Sequence, residues 1–309
     1  MGVYLEKAAD DTLPLDWLAE RLSCGPADLR AERFCDSDGD YQRKYNVYKI
    51  SAGGQSYVCK QADAGERDIY ENFLQGKAFA VPEYYGNVVS GKTVWLLTEY
   101  IEGPDLRRFT REMALASADT LAEIQNFYWD CKAQDGRFDR YWERICRRAR
   151  CLEKEPELAA AYDIFLERQK SCPRTLSNGD FLQFNGIWRD GRVSVIDWGF
   201  GGIMPYALDI TRLIAHGTLV YEPDGFPFYM DDDLRGTFVQ ACYKALKQKP
   251  DWDRYLMDIR LAALNEYVEF LEEELNDPEA NREEIAEGSY YKRAKKTAEE
   301  ILRLEKRNS

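Results

Sequence analysis

Three oxygen-bearing side chains stand at a spacing that could do chemistry together. In Leu176-Ser177-Asn178-Gly179-Asp180-Phe181-Leu182-Gln183-Phe184-Asn185, an Asp sits on a glycine turn and an Asn follows five residues on. Val193-Ser194-Val195-Ile196-Asp197-Trp198-Gly199 then puts a second Asp at the end of an apolar run. A tight loop and the end of a buried strand can bring the three into one small volume. The Asn185 carbonyl and the Asp197 carboxylate offer hard oxygen ligands of the kind Mg²⁺ takes, alongside water and phosphate. Asp180 is then free to accept a proton from an incoming hydroxyl and to orient it. Metal, base and a phosphate donor held in line are the minimum set for phosphoryl transfer.

The elements that must position these residues are legible in outline. Residues 13–23 place Leu15, Leu18 and Leu22 on one helical face, and Gly25-Pro26 ends the run. YNVYKI, the turn AGGQS and YVCKQA read as strand, turn, strand. GERDIYENFLQG follows as a helix bounded by Gly65 and Gly76, and VPEYYGNVV and TVWLLTEYI as two further strands across an SGK turn. Gly103-Pro104 breaks the chain, which places a boundary near residue 102 and divides the protein into 1–101 and 102–309. Beyond it, 105–170 is helical in pattern, 174–198 returns to strand texture around a turn at 191–192, and 206–219 and 233–306 are helical. The plan is α+β and two-lobed: a small antiparallel-sheet lobe with one helix, then a large, mainly helical lobe.

Composition excludes several alternatives. The chain has 309 residues, Lys plus Arg 42 against Asp plus Glu 55, and a formal charge of −13, which repels phosphate backbones and anionic lipid. No nucleic-acid partner is expected, and a cationic one is favoured. No signal-like leader and no uninterrupted apolar run of about 18 residues is visible, so no membrane partner is expected either. The 8 cysteines lack any CxxC pair and read as reduced packing residues in a cytoplasmic protein. A single His, His216, leaves no His-rich metal site and reads as packed or capping.

GD-x4-N followed by IDW resembles the aminoglycoside phosphotransferase and choline kinase family, small-molecule relatives of the protein kinases. The family pattern usually carries His where Asn178 stands, and there the His braces the loop through hydrogen bonds. The resemblance implies a protein-kinase-like fold, ATP (or GTP) and Mg²⁺ as cofactors, and Asp180 as the catalytic base with Asn185 and Asp197 on the metal. It implies further that Lys60, after the AGGQS turn, is held toward the phosphates by an acidic residue of the following helix. Glu66, at the family's E-x3-Y spacing before Tyr70, is preferred over Glu71, and Ser56 with Gly53 and Gly54 would offer donors to phosphate. LLTEYIEGPDL resembles the hinge, with the Glu99 carbonyl and the Ile101 N–H facing an adenine edge. Pro205-x3-Asp209 resembles the element that braces the catalytic loop. The matching stretch runs roughly from 45 to 215.

Each residue alone has a plainer reading: Lys60 in a salt bridge, Asp180 capping a turn, Asp197 ending a strand, Cys59 packing a strand. Asp36-Ser37-Asp38-Gly39-Asp40 lacks EF-hand spacing and reads as a loop. The basic run Arg140–Arg150 and the acidic runs Asp130–Asp139 and Glu266–Glu274 read first as solvated helix faces, though the acidic ones could line a cationic acceptor site. The order of the motifs favours a kinase of a small, hydroxylated, cationic acceptor such as an aminoglycoside. The alternative is an inactive nucleotide-binding pseudokinase whose catalytic loop has decayed at Asn178. Protein kinase activity ranks lower, because no APE-like segment or activation loop separates Asp197 from Asp209. The sequence leaves the oligomeric state open.

Overall fold

The computed structural model describes residues 2–8, 13–38, 41–133, 136–219, 228–277 and 279–308. The N-terminal part comprises β1 (Gly2–Lys7), α1 (Leu15–Arg21), β2 (Arg30–Asp38), β3 (Tyr41–Ala52), β4 (Gln55–Ala62), α2 (Ala64–Ile69), β5 (Tyr84–Ser90) and β6 (Thr93–Glu99). Its strands form one antiparallel sheet of six in the order β1-β2-β3-β4-β6-β5. Four of them match the sequence expectation; β1 and β2 are additions. RAERFCDSD is too charged to read as a strand, but a sheet face open to water needs apolar residues only at alternate positions. Cys35 is the buried one, and on the same face Glu6 of β1 meets Lys44 of β3 at 2.8 Å. Asp36 and Asp38 accordingly belong to β2 rather than to a loop, and Gly39 and Asp40 lie outside the described residues.

Period-2 alternation decides what β4 presents to each side. Tyr57 and Cys59 point into an outer core with Tyr48, Ile50, Trp95, Leu97 and Leu18 of α1. Lys60 therefore faces the opposite side, toward α2 and the helical part, and slipping the register by one residue would exchange it for Cys59. Of the expected α1 face, Leu18 is buried, Leu22 is half-buried and Leu15 is exposed. Burial pushes the Cys59 thiol up to about 12, so the cation beside it in sequence does not activate it. All eight cysteines are unpaired.

The helical part contains α3 (Arg111–Phe127), α4 (Arg137–Ala149), α5 (Pro156–Ser171), β7 (Arg174–Ser177), the hairpin β8 (Gly186–Arg189) and β9 (Arg192–Val195), and β10 (Gly202–Pro205). It continues with α6 (Ala207–Ala215), the short pair β11 (Gly217–Thr218) and β12 (Phe228–Tyr229), α7 (Asp232–Ala245), α8 (Trp252–Asn276), α9 (Arg282–Glu287) and α10 (Ser289–Asn308). One core joins α3, α6 and α7 to the α2 segment through Ile69 and Tyr70 and to the inner face of the sheet through Val94 and Leu96 of β6. A second packs α4, α5, α8 and α10. The basic run of α4 is not uniformly solvated: Arg148 is buried, with Glu269 at 3.2 Å, Glu272 at 3.0 Å and Asn265 at 2.9 Å. No helix among the described residues is long and apolar enough to cross a membrane.

Candidate active site

The site gathers where β4, α2, the loop after β7 and the loop after β9 meet. Asp63 caps α2 by accepting the Glu66 N–H at 2.7 Å, which fixes Glu66 in the first turn. From there Glu66 Oε1 lies 2.7 Å from Lys60 Nζ, and Lys60 also meets Asp197 Oδ1 at 2.9 Å. Glu66 in addition accepts the Trp198 N–H at 3.2 Å, so one buried carboxylate ties β4 to the Asp197 loop. Glu71 points elsewhere, accepting from Tyr84 at 3.2 Å and Asn87 at 2.7 Å. Burial pulls the Lys60 pKa down, but the two carboxylates outweigh it and hold the ammonium above its ordinary value. Burial likewise opposes ionisation of Asp197, and Lys60 with the Gly199 N–H reverses it, leaving that carboxyl below the usual range.

Asp197 is one of four non-glycine residues with positive φ among the described residues, at 57°. Holding a carboxylate there costs on the order of 1–3 kcal/mol, which the surrounding loop must offset. Asn178 supplies part of that support. Its amide donates to the Ile196 carbonyl at 3.1 Å and the Asp197 carbonyl at 2.9 Å, while its Oδ1 accepts the Asp180 N–H at 3.2 Å. An Asn thus cross-links the two loops at the position where the family pattern carries His. From below, Asp209 in the first turn of α6 accepts from Ser177 Oγ at 2.7 Å, the Asn178 N–H at 2.7 Å and the Gly179 N–H at 2.9 Å. Burial pushes Asp209 up to about 6 against the pull of those donors. Gly179 is required on two counts: φ is 80°, and a Cβ there would lie 2.3 Å from the Phe200 carbonyl oxygen.

Asp180 and Asn185 face each other across the loop. The Asn185 amide donates to the Asp180 carbonyl at 2.6 Å and to Oδ2 at 3.3 Å, which turns the Asn185 Oδ1 away as the atom available to a cation. Burial raises Asp180 above the usual carboxylate range, and the neighbouring Arg212 guanidinium limits the rise. The donor chemistry fits Mg²⁺: an amide oxygen and a half-exposed carboxylate held ionised, with room in the shell for phosphate. No group of three or more His, Cys, Asp or Glu among the described residues forms an all-protein cage.

Where the sequence reading places the hinge, the Glu99 carboxylate is tied to Arg189 at 3.0 Å and the Glu99 N–H donates to the Glu83 carbonyl at 2.8 Å. Ile101 is buried, and its N–H donates to no atom of the described residues. Ser56 is the expectation the structure does not bring to the site. The AGGQS turn joins neighbouring strands at the hinge end of the sheet, where the Ser56 carbonyl accepts the Tyr100 N–H at 3.4 Å. Four residues of extended chain, about 13 Å, separate Ser56 from Lys60. The strand connection on the Lys60 side is instead β2–β3, whose Gly39 and Asp40 are outside the described residues.

Two residues escaped the sequence reading. Arg212 of α6 donates to Asp180 Oδ1 from Nε at 3.1 Å and Nη2 at 2.9 Å, and from Nη1 to Glu266 of α8 at 2.5 Å. Glu266 lies in a run expected to be a solvated face, yet it is buried. The only local signal was the three-residue step from Asp209 to Arg212, one helical turn.

Residues 42–257 match the family model of APH, the phosphotransferase enzyme family, and the chain belongs to that family. No curated protein matches the sequence significantly. Among solved structures, the chain is similar to amicoumacin kinase hAmiN in complex with AMP-PNP, Ca²⁺ and Ami, with TM-score 0.60, 14% identity, and coverage of 94% of this chain and 93% of that one. It is also similar to a thermostable mutant of aminoglycoside phosphotransferase APH(4)-Ia in a ternary complex with ADP and hygromycin B, with TM-score 0.53, 14% identity and coverage of 94% and 98%. Choline kinase from Cryptosporidium parvum Iowa II gives TM-score 0.53, 10% identity and coverage of 96% on both sides. At these identities the likeness is one of fold, and the fold is the kinase-like one expected from the sequence.

Proposed function

We propose that the protein transfers the γ-phosphate of ATP (or GTP) to a hydroxyl of a small cationic molecule in the cytoplasm, with residues 1–101 forming the nucleotide lobe and 102–309 carrying the catalytic loop and acceptor site. The observation that carries this reading is the convergence of Lys60 on both Glu66 and Asp197 while Asn185 faces Asp180. Four separate elements contribute to one cluster whose parts match phosphoryl transfer. The hinge Glu99 carbonyl and Ile101 N–H receive the base, and Lys60, oriented by Glu66, holds the phosphates. Asn185 and Asp197 would hold Mg²⁺, which when bound neutralises charge on the transferring phosphoryl group.

Asp180 accepts the acceptor hydroxyl proton at Oδ2. The acceptor oxygen bonds to the γ-phosphorus, the bond from that phosphorus to the β–γ bridging oxygen breaks, and nucleoside diphosphate leaves. The cationic character of the acceptor is supported by the net charge of −13. Asn178 makes the hydrogen bonds that keep the catalytic loop braced, which favours an active enzyme over a pseudokinase.

Thermal unfolding with Mg-ATP tests the nucleotide site. Ligand at about a hundred times its Kd adds roughly 2.7 kcal/mol, which should raise the midpoint by on the order of 5 °C in a chain of this size. The shift should require Mg²⁺ and vanish in Asp197→Ala. A wild type that moves with neither ATP nor GTP would refute the reading.

A further inference from the structure

Asp180 must present one particular oxygen to the acceptor, and a carboxylate on a loop rotates unless something stops it. Arg212 is placed to stop it. Two N–H groups of one guanidinium edge converge on Oδ1, at 3.1 and 2.9 Å, whereas Oδ2 receives only the Asn185 amide among the described residues, at 3.3 Å. The guanidinium is itself held from behind. Its Nη1 donates to Glu266 at 2.5 Å, and Glu266 also meets His216 Nε2 at 3.2 Å. On its other side, His216 Nδ1 meets the Tyr290 hydroxyl at 2.9 Å. Tyr290 stacks on Phe270 with ring centroids 4.5 Å apart and 12° between planes.

The last member belongs to α10, and α10 grips α6 directly: Arg293 donates to the Ala215 carbonyl at 3.0 Å and the Gly217 carbonyl at 2.9 Å. The helix carrying Arg212 is thereby clamped at its C-terminal end by α10, while Asp209 at its N-terminal end fixes the loop backbone beneath Asp180. Charge alone does not require this arrangement. Arg212 could neutralise Asp180 through any single contact, but a fork on one oxygen with a buried counter-anion behind it specifies orientation.

We propose that Arg212 is a positioning residue for the phosphotransfer step, aiming Asp180 Oδ2 at the acceptor, and that Glu266, His216 and Tyr290 anchor it to the C-terminal helix. This rests on the phosphotransferase reading above. Misaiming a catalytic group by about 1 Å costs on the order of a hundredfold in rate. The test is ADP release from Mg-ATP with water as the acceptor, measured on the full chain. Arg212→Ala should lower kcat on the order of a hundredfold with KM for ATP and the Mg-ATP thermal shift unchanged, and millimolar guanidinium should restore part of the lost kcat. Arg212→Lys, which keeps the charge beside Glu266 but not the fork, should fall between wild type and Arg212→Ala and guards against misfolding of the latter. Tyr290→Phe should lower kcat by less than either.

A kcat for Arg212→Ala and Arg212→Lys equal to wild type would overturn the role. So would a loss that guanidinium does not restore and that tracks a fall in the unfolding midpoint. A wild type that binds Mg-ATP and releases no ADP with water or with any hydroxylated acceptor would overturn the phosphotransfer reading itself, and this role with it.

Discussion

Asp180→Asn is expected to lower phosphoryl-transfer kcat by about 10²–10⁴-fold, the range over which a positioned general base contributes. The substitution keeps the side chain's shape and its place opposite Asn185, so nucleotide affinity should not change. What it removes is the proton acceptor, along with the anion that Arg212 faces at 2.9 Å. Steady-state kinetics with saturating Mg-ATP reads the effect as a fall in kcat at constant KM for nucleotide. A loss confined to KM would instead place Asp180 among the binding residues.

Asp209→Ala should be the most damaging substitution for the fold around the site. Asp209 is buried and accepts three hydrogen bonds, from Ser177 Oγ and from the N–H groups of Asn178 and Gly179. Truncation leaves the Ser177 hydroxyl and the Asn178 N–H without their acceptor in a dry interior, at about 1–3 kcal/mol for each unsatisfied group, while the Gly179 N–H keeps Ser177 Oγ at 3.2 Å. Allowing for relaxation, the loss is on the order of 3 kcal/mol or more in chemical denaturation. The two N–H groups belong to the loop that carries Asp180, so kcat should fall with stability. A variant as stable as wild type would mean that the loop is held by other contacts.

Much of this architecture could be read from the chain, and the reasons are physical. Motifs confined to one loop or one strand, such as Asn178 through Asn185 and the strand ending at Asp197, carry their geometry in local spacing. The Lys60–Glu66 pair was legible because one strand end and one helix turn separate them. Ser56 was misplaced because a glycine turn after a strand looks alike at either end of a sheet. Only the strand order, with β2 and β3 preceding β4, shows which turn lies on the Lys60 side. β1 and β2 were missed since strands with a solvated face need few apolar residues. Arg212 was invisible for a different reason: its partners lie 32 and 54 residues away, and Glu266 sits in a run whose composition is that of a water-facing helix. A buried ion pair assembled across helices leaves no local trace. The same holds for Arg148 in a basic run and its acidic partners on α8.

The most direct test of the central claim is to incubate the protein with Mg-ATP or Mg-GTP and a panel of hydroxylated compounds, and to read product masses for the gain of one phosphoryl group. The panel should pair cationic members, namely aminoglycosides, amino sugars and choline-like alcohols, with neutral polyols of similar size. The account predicts a phosphorylated product among the cationic members that requires Mg²⁺, is absent with Asp180→Asn and is not matched by the neutral counterparts. Phosphorylation of neutral polyols alone would contradict the acceptor class, and no phosphorylated product with either nucleotide would contradict the account as a whole.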